Sequence, residues 1–96
     1  MTKKDPYLRY EINRKIKAVL VRHAVDITEL QYSNTGEVVY LFGKLVRDPK
    51  GDFKAPEVES LIREIAGIPE VQDVSVDLSN WSVLYEPGFV DIRQKG

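Results

Sequence analysis

Two glycine-marked runs constrain what this chain can fold into more than any other feature. Val39, Leu41, Gly43 and Leu45 alternate along the first run, the two-residue period of a strand, with a glycine in its interior. The second run, Gly67-Ile68-Pro69-Glu70-Val71, leads into the alternation Val74, Val76 and Leu78. It reads as a helix stop, a tight connection and another strand. Residues 56–66 lie between them, with Val58, Leu61, Ile62 and Ile65 at helical spacing, Pro56 in the first turn, and Glu57 and Glu59 at the positive end. A strand, a helix and a second strand in this order imply parallel pairing through a right-handed crossover.

The flanking sequence fills in the rest. Residues 7–22 read as a helix whose buried stripe is Leu8, Ile12, Ile16 and Val19, with Asp5 as N-cap and Pro6 in the first helical position. Residues 27–33 read as a strand, Asn34-Thr35-Gly36-Glu37 as a turn, 38–47 as the strongest strand, 48–52 as a loop and 71–78 as the third strand. Gly67 is expected in the left-handed conformation that ends a helix. The fold class is therefore α+β: a two-layer α/β sandwich in α-β-β-α-β order. It has a three-stranded mixed sheet, two helices on one face, and an extra C-terminal strand or arm.

Composition narrows the function classes. With 96 residues and 43% hydrophobic content the chain makes one small globular domain. It has no cysteine, which removes disulfides, thiolate metal sites and thiol nucleophiles together. Apolar runs such as Ala18-Val19-Leu20-Val21 are too short to cross a membrane, and the N-terminus has no apolar signal-peptide core. The expected location is cytoplasmic, or that of a domain excised from an envelope-associated protein. The net charge of −1 hides an asymmetry: residues 1–25 carry seven Lys/Arg against two carboxylates, a net +5, and residues 26–96 carry seven against thirteen, a net −6. A basic first helix on an acidic body suits an anionic partner or the acidic body of a second copy.

The order and the landmark residues resemble a BON domain, the small module named for bacterial OsmY and nodulation proteins. The family pattern is met by Gly36, then Val39, Leu41, Gly43 and Leu45, then Gly67, Ile68, Val71 and Val74, with Val76 and Leu78 behind. The match spans about residues 8–78, so that 1–79 read as the BON-like domain and 80–96 as a C-terminal aromatic arm or extra strand. Gly36 stands one residue further from Val39 than the pattern prefers, which implies a longer hairpin loop or a bulge. The resemblance implies a non-catalytic module that binds phospholipid or mediates assembly.

The residues point to candidate contact surfaces and to no reaction. Side chains alternate along a strand, so Val39, Leu41 and Leu45 face the helices, while Tyr40 and Phe42 face the other way beside Asp73, Ser75 and Asp77. An apolar patch there marks an interface unless the chain covers it. Trp81, Val83 and Tyr85 alternate in the tail, and the expectation is that this segment folds back over Tyr40 and Phe42. The competing expectation is an aromatic arm for a partner, with Trp81 and Tyr85 as anchors. On the first helix, Tyr7, Tyr10, Arg14, Lys17 and Val21 form an outer stripe suited to a lipid headgroup or a phosphate backbone, or to simple solvation. His23, the one histidine, reads as a helix-terminal residue. No catalytic, cofactor-binding or metal constellation is present in the sequence, and Gly43 calls for a helix or a bulge approaching closely.

The expected function is thus an interaction module without catalysis. It would bind a protein partner, itself or an anionic phospholipid surface through Tyr40, Phe42, Trp81, Tyr85, Tyr10, Arg14 and Lys17. The alternative is a ring-building or KH-like assembly or nucleic-acid-binding module. A KH domain needs a Gly-x-x-Gly loop between two helices, which is absent here, and the acidic body opposes a nucleic-acid footprint.

Overall fold

The computed structural model describes residues 6–49 and 51–95. Its order is α1 (Pro6–Arg22), β1 (Leu30–Asn34), β2 (Val38–Gly43), α2 (Ala55–Ala66), β3 (Asp73–Leu78), β4 (Trp81–Glu86) and β5 (Phe89–Gln94). The cap read at Asp5 lies outside the described residues. Strands β1 and β2 pair antiparallel and β2 and β3 parallel, giving the mixed sheet β1-β2-β3. Strands β4 and β5 form a separate antiparallel hairpin, so the chain adds two strands where one was expected.

The helix stripes do what their spacing implies. Ile12, Ile16, Val19 and Leu20 of α1 and Val58, Leu61, Ile62 and Ile65 of α2 are buried. They meet Leu30, Val39, Leu41, Val74 and Leu78 from the helix-facing side of the sheet in one core. A buried polar clamp ties α1 to the β1–β2 hairpin. Asn34 donates from Nδ2 to the Arg9 carbonyl at 3.1 Å and to Asn13 Oδ1 at 2.7 Å, and accepts the Gly36 N–H at 2.8 Å. All the hydrogen-bonding capacity of its amide hydrogens is used, which is why a polar group is tolerated in the core. Gly36, with φ +99°, turns the chain without a bulge in the β1–β2 ladder, so the longer loop is the correct alternative.

Helix ends depart from the reading. Glycine does not end α1. Ala24 takes φ 60°, with its N–H donating to the Val21 carbonyl at 3.0 Å and the Val25 N–H to the Leu20 carbonyl at 2.9 Å. These are the paired bonds of a Schellman stop, closed by buried Leu20 and Val25. Gly67, expected to be left-handed, is right-handed at φ −79° and ends α2 by a tightening turn, with its N–H shared between the Arg63 and Glu64 carbonyls. At the other end of α2, Glu57 Oε1 accepts the Lys54 N–H at 2.7 Å, the carboxylate half of a capping box.

Strand β2 ends at Gly43, four residues before its expected limit. There φ is +111°, and a Cβ would stand 2.5 Å from the Glu29 carbonyl oxygen. The close approach at Gly43 is thus made by the backbone entering β1, and not by a helix. Beyond it a side chain replaces a strand: Asn80 Oδ1 accepts the Leu45 N–H at 3.0 Å and Asn80 Nδ2 donates to the Leu45 carbonyl at 2.7 Å. Leu45 therefore reaches the core from irregular backbone whose polar groups are still paired.

Candidate interaction surface

The position of the tail decides which surface is open. Trp81 follows Leu78 by three residues and enters the same core, 3% exposed. Val83, Tyr85, Val90 and Ile92 pack against that core, β4 runs beside β3, and β5 lies against α2. The hairpin therefore rounds the β3 edge onto the helix side. This corrects the expectation that it folds back over Tyr40 and Phe42. The physical reason lies in β3. Its back carries Asp73 and Asp77, and the apolar face of the tail laid over them would strip water from two carboxylates. The helix side offers Trp81, Val83 and Tyr85 the apolar core to pack against.

Tyr40 and Phe42 are consequently bare, each 39% exposed. Register places Ser33 and Ser75 beside Tyr40, and Gln31 and Asp77 beside Phe42. This matches the neighbours read from strand alternation. Two further exposed apolar side chains lie on the hairpin. Leu84 and Phe89, each 52% exposed, occupy the outward positions of the hairpin. Leu84 shares a recess of about 510 Å³ with Glu37, Val38, Asp73, Tyr85 and Glu86. The parity of β4 carried this signal, because Leu84 alternates against Trp81, Val83 and Tyr85. Asp73 and Asp77 lie on the open face and Glu37 and Glu86 line the recess, and none of the four forms an ion pair with another described residue; the outward Arg93 pairs with Asp91.

The other named residues divide. Trp81 is a core residue and offers no contact surface, and Tyr85 is half-buried against the core at the rim of the recess. Tyr10, Arg14 and Lys17 lie exposed on the outer side of α1 with Tyr7 and Val21, on the far side of the molecule from Tyr40. Arg14 is paired with Glu11 one turn away. The two tyrosines are 76% and 65% exposed, so both rings stand largely in water.

A second concavity, about 420 Å³, opens where the end of α1 meets the start of α2, lined by Arg22, His23, Ala24, Arg47, Phe53, Pro56, Glu57 and Ser60. Its charged groups are already committed. His23 Nε2 lies 2.7 Å from Glu64 Oε1, whose other oxygen pairs with Arg22. Burial, then the neighbouring Arg22, holds the imidazole below its ordinary pKa, against a smaller opposing effect of Glu57. Facing a carboxylate, the ring carries its hydrogen on Nε2 and donates it to Glu64. Arg47 donates to Glu57 Oε2 at 2.9 Å and stacks on Phe53 with its guanidinium 5.1 Å from the ring centre. Asp26 and Glu29 do not join His23, and it caps the end of α1 as read from the sequence.

Among the described residues no group of His, Cys, Asp and Glu is arranged to hold a metal ion, and no helix is long and apolar enough to cross a membrane. The fold defines a class, a two-layer α+β module with a bare aromatic sheet face and a C-terminal hairpin. No protein-family model, curated protein or solved structure matches the chain.

Proposed function

We propose that this chain is a non-catalytic interaction module, similar in role to a BON domain, that contacts another protein through the open face of its sheet. The carrying observation is that the C-terminal hairpin packs on the helix side and leaves Tyr40 and Phe42 uncovered, with Leu84 exposed at the recess beside Val38 and Asp73. Aromatic rings set among serines, a glutamine and carboxylates resemble the apolar centre and polar rim of a protein contact.

A photo-crosslinking side chain in place of Phe42 tests this reading. In extracts of the cells that make the protein it should yield a discrete protein adduct. The same group in place of exposed Thr28 should yield none. Equal or absent adducts at the two positions would overturn the assignment of this face.

The exposed Tyr7, Tyr10 and Val21 around Lys17 favour a second reading, adsorption of α1 to an anionic membrane. Co-sedimentation with anionic vesicles at low salt supports it, and failure to sediment removes it.

A further inference from the structure

We infer that the partner of the open sheet face is a second copy of this chain, and that the second copy presents the outer side of its helix α1. The inference rests on the reading that the sheet face is a contact surface. What it adds is the occupant.

Charge is the first argument. Asp73 and Asp77 stand on the face of Tyr40 and Phe42, and Glu37 and Glu86 line the recess at its end, all without a cation among the described residues; no Lys or Arg occupies the outward positions of β1, β2 or β3, and the outward Arg93 of β5 is paired with Asp91. Helix α1 carries Arg9, Arg14, Lys15, Lys17 and Arg22 against the single carboxylate Glu11. Two of those cations, Lys15 and Arg22, are bound to Glu70 and Glu64 at the α2 side. Arg9 donates to the Asn34 carbonyl and Arg14 is paired with Glu11, so Lys17 carries the uncompensated charge of the outer stripe. An acidic face and a basic face of one chain attract each other between copies and repel their own kind, which disfavours sheet-to-sheet and helix-to-helix pairing.

Apolar matching is the second argument. Tyr7, Tyr10 and Val21 on α1 are 76%, 65% and 59% exposed, and offer rings and an aliphatic group to Tyr40, Phe42 and Leu84. Geometry is the third. The buried stripe of α1 points to the sheet, so its outer stripe points away from it, whereas Tyr40 and Phe42 leave the sheet on the opposite side. The two surfaces cannot meet within one chain. Joined between chains they make a head-to-tail contact, which leaves a free face at each end and builds a ring or an open filament.

Sedimentation velocity on the full chain tests this with two folded variants, each checked by its thermal melt. Tyr10→Glu/Lys17→Glu spoils the helix side alone, and Asp73→Lys/Asp77→Lys spoils the sheet side alone. The wild-type chain should associate beyond a dimer as concentration rises, and each variant alone should associate at least tenfold more weakly. An equimolar mixture of the two should form a dimer that grows no further, because one intact helix side and one intact sheet side remain. A wild-type chain that stays monomeric at millimolar concentration overturns the inference. So does loss in only one variant, the mark of a symmetric contact, or a mixture that stays monomeric. A cross-link from position 42 to a different protein would also overturn it while leaving the sheet face as the contact surface.

Discussion

Replacing Gly43 by alanine should cost far more than replacing Gly88, although both glycines have positive φ. At Gly88 φ is +81° and nothing lies within 4 Å of an added Cβ. The cost there is conformational, about 1–2 kcal/mol for an L-residue in the left-handed region. It is reduced by about 0.4–1 kcal/mol because alanine restricts the unfolded chain. Gly88→Ala should therefore lose about 0–1.6 kcal/mol. At Gly43 φ is +111° and the added Cβ would stand 2.5 Å from the Glu29 carbonyl oxygen. That oxygen accepts the Lys44 N–H at 3.0 Å, and Leu30, the first residue of β1, follows directly. Relieving the clash moves backbone and weakens that bond, adding about 1 kcal/mol or more to a backbone strain of about 1–3 kcal/mol. The expected net loss for Gly43→Ala is about 2–3 kcal/mol. Urea unfolding followed by far-UV circular dichroism measures both, with the denaturant slope unchanged if only stability shifts. Equal losses in the two variants, or a larger loss at Gly88, would refute the argument that close backbone approach fixes Gly43.

Further outcomes follow from the same contacts. Asn80→Ala should cost about 1–3 kcal/mol by leaving the Leu45 N–H and carbonyl without their partner, and amide exchange at Leu45 should speed up. Trp81→Ala should cost about 3–5 kcal/mol as a buried aromatic, and Phe42→Ala below about 2 kcal/mol because its ring is partly in water; thermal melts showing the opposite order would contradict the placement of the hairpin. The folded state holds His23 below its ordinary value of 6.5, so the unfolded chain takes the proton first. Stability therefore falls as pH drops through that value toward the folded one. His23→Gln should flatten this limb. Both proteins should lose stability together in more acid solution, as Glu57 and Glu70 are protonated: their carboxyls are held below 4.5, Glu57 first by the Lys54 N–H and Glu70 first by Lys15.

The parts of the fold legible in the sequence were those set by local period. The stripes of α1 and α2, the two faces of β2 and the neighbours of Tyr40 and Phe42 all follow from spacing. The limits missed were set by distant or atypical partners. Leu45 looks like one more strand residue, yet a side chain thirty-five positions away does the pairing. Ala24 gave no sign of a helix stop, because alanine is a poor left-handed residue and tertiary contacts impose the conformation. The alternation of Trp81, Val83 and Tyr85 announced a strand but not its docking surface. Docking depends on burial against a distant core and on desolvation of the β3 carboxylates, neither of which periodicity registers.

The absence of cysteine makes one direct measurement available, since a single introduced thiol reports one position. Phe42→Cys and Trp81→Cys can be labelled with a water-soluble thiol reagent over a range of protein concentration. In dilute protein the thiol at position 42 should react at close to the rate of an exposed cysteine, and the thiol at 81 only through opening of the fold. As the chain is concentrated, or its partner added, position 42 should become protected. A thiol at 42 that is as slow as the one at 81 in dilute protein would mean the chain covers its own sheet face. One that stays fast under every condition would mean that nothing docks there.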